Sequence, residues 1–216
     1  MNQKQIDDIL VFLHRTKGLE TAKRYSASLK DMHNTVADHS WRLGLMALVI
    51  ASEYKMEVDL GHVLALALIH DLAEAKTGDI DAYRQITEGE QVLKDKTASE
   101  ETAMRDITNG LSLGDSVYGL WKEFEEQTTV EAKFVKALDR IEGFLHIAES
   151  GVEMYIPQEF HADYADYAVI AFDEATQSVP KLKDFLDIVK KDLKRQCKQA
   201  GIEWIDATIE TDAKKP

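Results

Sequence analysis

The sequence predicts an all-α fold arranged as a single domain, and three observations carry that expectation. Apolar residues recur at helical spacing in segment after segment. Alternating strand-like runs are absent, apart from a weak candidate at Ile202–Ile209. The chain has 216 residues, enough for one sizeable core without metal or disulfide staples. It shows no internal repeat and no low-complexity block.

The elements follow in order. Ile6, Ile9, Leu10 and Leu13 fall on one face of a first helix, and Gly18 signals its end. Thr35 stands three residues before Asp38, a capping-box-like start for a helix through Trp41, Leu45, Leu48 and Val49. Asp59 can cap the next helix, with Leu60, Val63, Leu64, Ala67 and Leu68 on one face. Gly78-Asp79 marks the loop after it. A polar helix is expected over about 88–108 and another over about 116–127. A third begins near Thr129 and carries Phe134, Val135, Leu138 and Ile141. The stretch from Gly151 to Phe160, with Pro157, reads as a connection. Two amphipathic helices follow near 162–177 and 180–199, Pro180 suiting a helix start. The polar segment 207–216 reads as a frayed tail.

Composition narrows the function. The formal net charge is −13, which argues against a general nucleic-acid binder and its basic face. A small phosphorylated substrate stays compatible, because a metal ion and a few placed cations can reverse the potential locally. The single cysteine, Cys197, excludes an intrachain disulfide. The first ten residues do not read as an apolar signal region, and no run approaches the ~20 apolar residues that span a bilayer. A cytoplasmic protein is the expectation.

Four residues stand out as potential ligands: His39, His70, Asp71 and Asp139. Two imidazoles and two carboxylates suit Mn, Fe, Co, Ni or Zn. Each lies on or beside an apolar helix, where a charge is costly unless paired or bound to a metal. Glu74 would share a face with His70 and Asp71 if their helix continued, and could handle the proton of a water. Asp79, after Gly78, could turn back over the same centre. Each residue also has a plainer role open to it. The histidines could be hydrogen-bonded core residues, and Asp71 a turn residue. Asp139 could pair with Lys136 or Arg140, and Glu74 could be a solvated partner of Lys76. His14, His33, His62, His146 and His161 show no pattern beyond a structural one. Trp41 and Trp121 read as core or interface aromatics, and Glu123, Glu125 and Glu126 as a solvated helix face.

The order His…His-Asp…Asp changes the odds. Val36–Arg42, His70-Asp71-Leu72-Ala73-Glu74 through Gly78-Asp79-Ile80, and Ala137-Leu138-Asp139-Arg140-Ile141-Glu142 resemble the HD-domain metal-dependent phosphohydrolases. Within them the match is to the YfbR-like 5′-deoxynucleotidase branch, over roughly Leu10 to Ser150. The resemblance implies a helical HD domain over 1–200, with a metal-site core at about 10–150 and C-terminal helices at 160–199. It implies a divalent ion (Co, Mn, Mg, Zn, Ni or Fe) held by His39, His70, Asp71 and Asp139. It implies Glu74 as the water-activating group and Asp79 as a second catalytic carboxylate. Arg24 and Tyr25 occupy the positions of the branch's substrate-binding Arg-Trp pair, so the Arg is kept and the Trp has become Tyr. Asp38 stands where the branch usually has Glu. Lys23 and Lys30 are possible additions to the potential near a phosphate.

The first expectation is therefore a metal-dependent phosphohydrolase releasing phosphate from (deoxy)nucleoside 5′-monophosphates. A second is a relative acting on a triphosphate, a cyclic dinucleotide or guanosine tetraphosphate. A third is a non-catalytic helical module that keeps a metal for stability. A homodimer is expected from the resemblance and from apolar residues beyond Gly151, namely Phe172, Phe185, Leu186 and Val189.

Overall fold

The computed structural model describes residues 2–25, 34–80, 90–155, 174, 176–202 and 204. The expected connection beyond Tyr155, most of the expected helix near 162–177, Lys30, His33, His161, Phe172 and the tail 207–216 lie outside them. Most of the weak strand candidate does too. The described residues are helical almost throughout, with one isolated antiparallel bridge, Lys23 to Thr35. The chain divides into two compact units, residues 1–27 with 31–132 and residues 28–30 with 133–216.

The first unit opens with α1 (Gln3–Thr16), capped by Asn2 in a full capping box with Gln5, and a 3-10 turn at Lys17–Glu20. It continues through α2 (Val36–Glu53), α3 (Leu60–Ile69), the single-turn α4 (Glu74–Thr77), α5 (Glu90–Thr108) and α6 (Gly114–Glu126). Both expected caps form. Thr35 accepts from the Asp38 amide while Asp38 accepts from the Thr35 amide, and Asp59 accepts from the His62 amide. Asp38 is therefore occupied in capping.

α3 packs between α2 and α6, and α5 packs against α1, α4 and α6. The core around the site includes Leu72, Ala73, Ala103, Met104, Ile107 and Trp121, with Phe12, Leu19 and Ile69 at its edge. Gly18 does not stop a helix so much as permit contact. A Cβ there would collide with the carbonyl oxygen of Ala75, so glycine lets the 3-10 turn lie against α4.

Burial sorts these side chains, and one expectation, that for Glu123, changes. Ile6, Ile9, Leu10 and Leu13 are exposed, and α1 instead buries Asp8, which accepts from the Ser112 amide and Lys4. Trp41 is exposed, whereas Trp121 is buried. Glu123 is no solvated face residue. Its carboxylate lies 2.7 Å from His62 Nε2 and accepts from the Thr129 hydroxyl, tying α6 to α3.

α7 (Val130–Ser150) carries the chain into the second unit, which adds the single-turn α8 (Val152–Tyr155). That turn is helical where a connection was expected. A 3-10 turn at Pro180–Leu182 leads into α9 (Lys183–Ala200). α9 packs on α8 and buries Leu186, Val189, Leu193 and Cys197, while Gln196 donates to the Ala148 carbonyl. Leu186 and Val189 are thus consumed inside this unit and offer no dimer surface.

Candidate metal centre

Two helix termini bring three of the candidate ligands, His39, His70 and Asp71, together. The backbone of 22–24 pairs with 34–36 through Arg24 N–H to the Asn34 carbonyl and Val36 N–H to the Ala22 carbonyl. This fixes the start of α2, and His39 follows one turn in, its side chain fully buried. His70 closes α3, its amide donating to the Leu66 carbonyl. The helix does not continue past it. After Ile69 the chain tightens into i to i+3 turns, Leu72 to Ile69 and Glu74 to Asp71, before α4 forms. The tight turn, rather than a shared helical face, swings Glu74 inward.

The donor atoms converge. His39 Nε2 and His70 Nε2 are 3.2 Å apart. Asp71 Oδ2 lies 3.0 Å from His70 Nε2 and 3.8 Å from His39 Nε2. The point equidistant from these three atoms is about 2.0 Å from each, close to the ~2.0–2.1 Å of a metal–nitrogen bond. His70 Nδ1 sits 3.0 Å from the Ala67 carbonyl. A carbonyl can only accept, so Nδ1 carries the hydrogen and Nε2 turns a lone pair toward the centre. Phe124 packs edge-on against the His70 ring at 5.1 Å and holds its plane. A lone pair facing a second imidazole at this distance calls for a proton or a cation between them. These residues fit a divalent ion.

Asp139 lies on α7, in the second unit, with its carboxylate 3.5 Å from Lys136 Nζ one turn back. Arg140 pairs instead with Glu174.

Around this group the carboxylates are unusually protonation-prone. Burial, with Asp71 and Asp79 beside it, pushes Glu74 up to about 10. Burial also raises Asp79, although Arg24 and Lys96 pull against it. Gly78 adopts φ +69, a left-handed turn that suits glycine, and its amide donates to the Glu74 carbonyl. Asp79 then accepts from the Tyr25 amide at 3.2 Å. Tyr25 itself holds φ +58, unusual for a bulky residue, and the Arg24 guanidinium lies 4.9 Å from its ring centre. These contacts bring Arg24, Tyr25 and Asp79 close together. Glu74 is buried rather than solvated, and Lys76 pairs with Asp106.

Lys96 and Glu100 on α5 were not singled out from the sequence. Lys96 Nζ lies 3.7 Å from Glu74 Oε1 and 3.4 Å from Glu100 Oε1. Burial alone would favour the neutral amine, yet Glu100, Glu74, Asp71 and Asp79 outweigh it and hold Lys96 above the ordinary lysine range.

Residues 16–182 match the model of the HD domain. The chain belongs to the HD-domain family. Curated relatives include 5′-deoxynucleotidase HDDC2 from Bos taurus, 33% identical over 69% of this chain and 71% of the relative. The human HDDC2 is 39% identical over 53% of each chain, so this chain spans about half the length of some of the relatives it matches. Among solved structures, one named a predicted metal-dependent phosphohydrolase, from Magnetospirillum magnetotacticum MS-1, superposes with TM-score 0.74 at 23% identity, covering 90% of this chain and 95% of that one. The PH0347 protein of Pyrococcus horikoshii gives TM-score 0.63 at 22% identity, covering 87% and 99%. At these identities both show the fold alone, and that fold is the HD-domain helical bundle.

Proposed function

We propose that this HD-domain protein is a divalent-metal-dependent phosphohydrolase that releases phosphate from (deoxy)nucleoside 5′-monophosphates. The single observation that carries the reading is the convergence of His39, His70 and Asp71 beside a buried Glu74. The 5′-deoxynucleotidase names of the curated relatives support the substrate class. Asp139 is proposed as the fourth ligand from its place in the order His…His-Asp…Asp. The family match runs across both units, which supports reading residues 1–200 as one HD domain.

A divalent ion at this centre would supply Lewis acidity to the phosphate and to the attacking water. The residues do the rest. A cation at the centre would oppose the Asp71 and Asp79 charges that add to burial in raising Glu74, and would favour its carboxylate form, which orients that water and takes its proton. Arg24 meets the phosphate with a planar guanidinium, and the Tyr25 ring beside it faces the sugar or base. Asp79 orients the substrate or returns a proton to the departing 5′-oxygen. Catalysis on this scheme is positioning and charge stabilisation, as phosphoryl transfer requires.

The second copy in a homodimer is proposed to cover exposed apolar residues of the first unit. Trp41, Leu45, Leu48 and Val49 form a stripe at i, i+4, i+7 and i+8 on α2, and all four are exposed. No described helix is long and apolar enough to cross a membrane. A reducing, cytoplasmic setting is proposed on the single buried Cys197.

A panel of ribo- and deoxyribonucleotides with Co, Mn or Mg, with products separated by chromatography, tests the reading. Inorganic phosphate from 5′-monophosphates is expected. Pyrophosphate or an opened cyclic diester would move the substrate elsewhere in the family, and no turnover of any nucleotide would leave a metal-stabilised binding module.

A further inference from the structure

We infer that Lys96 is a positioning residue of this site, its ammonium steadied by Glu100 and holding the Glu74 carboxylate in place for the water. The inference rests on the phosphohydrolase reading above.

Glu74 leaves only 4% of its side chain exposed, and a carboxylate so buried needs a countercharge. The cation nearest it in sequence, Lys76, is engaged with Asp106 at 3.1 Å. Lys96 reaches Glu74 from a different helix. α4 and α5 are locked together, since Ala73 and Ala75 pack into the same cluster as Ala103, Met104 and Ile107. The distance from Lys96 to Glu74 is therefore set by the core and not by a flexible loop.

Glu100 supplies the second anchor, one turn along α5. A Lys–Glu pair at i, i+4 is ordinarily a solvated surface feature worth little. This pair is different, with side-chain exposures of 23% and 10%. An ammonium has three donors and no preferred plane, so a single partner would leave it free to swing. Two carboxylates from two directions define its position. The ion pair runs through Glu74 Oε1. Lys96 acts through Glu74 and does not itself touch the reacting atoms.

The test uses the full-length, metal-loaded protein with Lys96→Met and Lys96→Arg. For Lys96→Met, kcat should fall roughly tenfold to a hundredfold, the span of one well-placed charged contact. KM for the nucleotide and the bound-metal stoichiometry should stay unchanged, and Lys96→Arg should recover much of the loss. A raised KM at unchanged kcat would make Lys96 a phosphate-binding group and overturn the inference. A second measurement needs no activity: a thermal-unfolding double-mutant cycle over Lys96→Met and Glu74→Gln. Lys96→Met should cost less stability in the Glu74→Gln background than in wild type, and strict additivity would overturn the pairing. If wild type releases no phosphate from any nucleotide, the phosphohydrolase reading falls and the catalytic role falls with it. Coupling in the cycle would then leave only the pairing standing.

Discussion

At the scale of single residues, burial decides which charges matter. Glu123 illustrates this outside the metal centre. Burial pushes its carboxyl up, but hydrogen bonds from Thr129 and His62 win and hold it below the usual carboxylate range. A carboxylate depressed in the folded state stabilises at pH values above its unfolded value near 4.5, and that stability is lost as pH falls through the folded value. Melting temperature measured from about pH 7 to about pH 3 should therefore drop more steeply for wild type than for Glu123→Gln at the acid end. Parallel curves would mean that the His62–Glu123–Thr129 contact does not contribute this term. The candidate ligands His39, His70 and Asp71, whose donor atoms the structure brings together, could be picked out beforehand because their identities and order are written in short local segments. Lys96 could not. Its only local signature is a Lys–Glu pair on a polar helix, the same pattern that decorates any solvated helix face. What distinguishes it is the neighbouring α4, which the local sequence does not reveal.

At the scale of elements, the centre depends on how helices end. His70-Asp71-Leu72-Ala73 contains neither glycine nor proline, so nothing local announces that α3 gives way to tight turns after Ile69. The break is imposed by packing, with Leu72 and Ala73 drawn into the core beside Met104 and Ile107. The caps at Thr35 and Asp59 were legible because a cap is chemistry between residues three apart. Gly18 was read as a stop signal, whereas its role is the close approach of the 3-10 turn to α4. Gly18→Ala should consequently destabilise the protein by about 1–3 kcal/mol, the usual cost of forcing atoms into a filled space. Urea unfolding measures this. A neutral result would show that the turn can move away from Ala75 freely.

At the scale of the whole molecule, the all-α class was legible from periodicity, but the location of the exposed apolar surface was not. Periodicity identifies an apolar face without saying what covers it. The late helix was expected to present Leu186 and Val189 to a partner, and α9 buries both. Among the described residues, the exposed apolar side chains include Ile6, Ile9, Leu10 and Leu13 on α1, Trp41, Leu45, Leu48 and Val49 on α2, and Ile188 on α9. If the α2 stripe is a two-fold interface, light scattering should give twice the chain mass for wild type and a single chain mass for Trp41→Glu combined with Leu48→Glu. A wild-type protein that runs as a single chain would remove the dimer.

The central claim is that His39, His70 and Asp71 hold a divalent ion for hydrolysis assisted by Glu74. The most direct test compares phosphate release from a deoxynucleoside 5′-monophosphate by wild type and Glu74→Gln, each loaded with the same measured amount of Mn or Co. The account predicts turnover by wild type and release slowed roughly a hundredfold or more in Glu74→Gln at equal bound metal. Equal rates in the two proteins, or no release by loaded wild type, would contradict it.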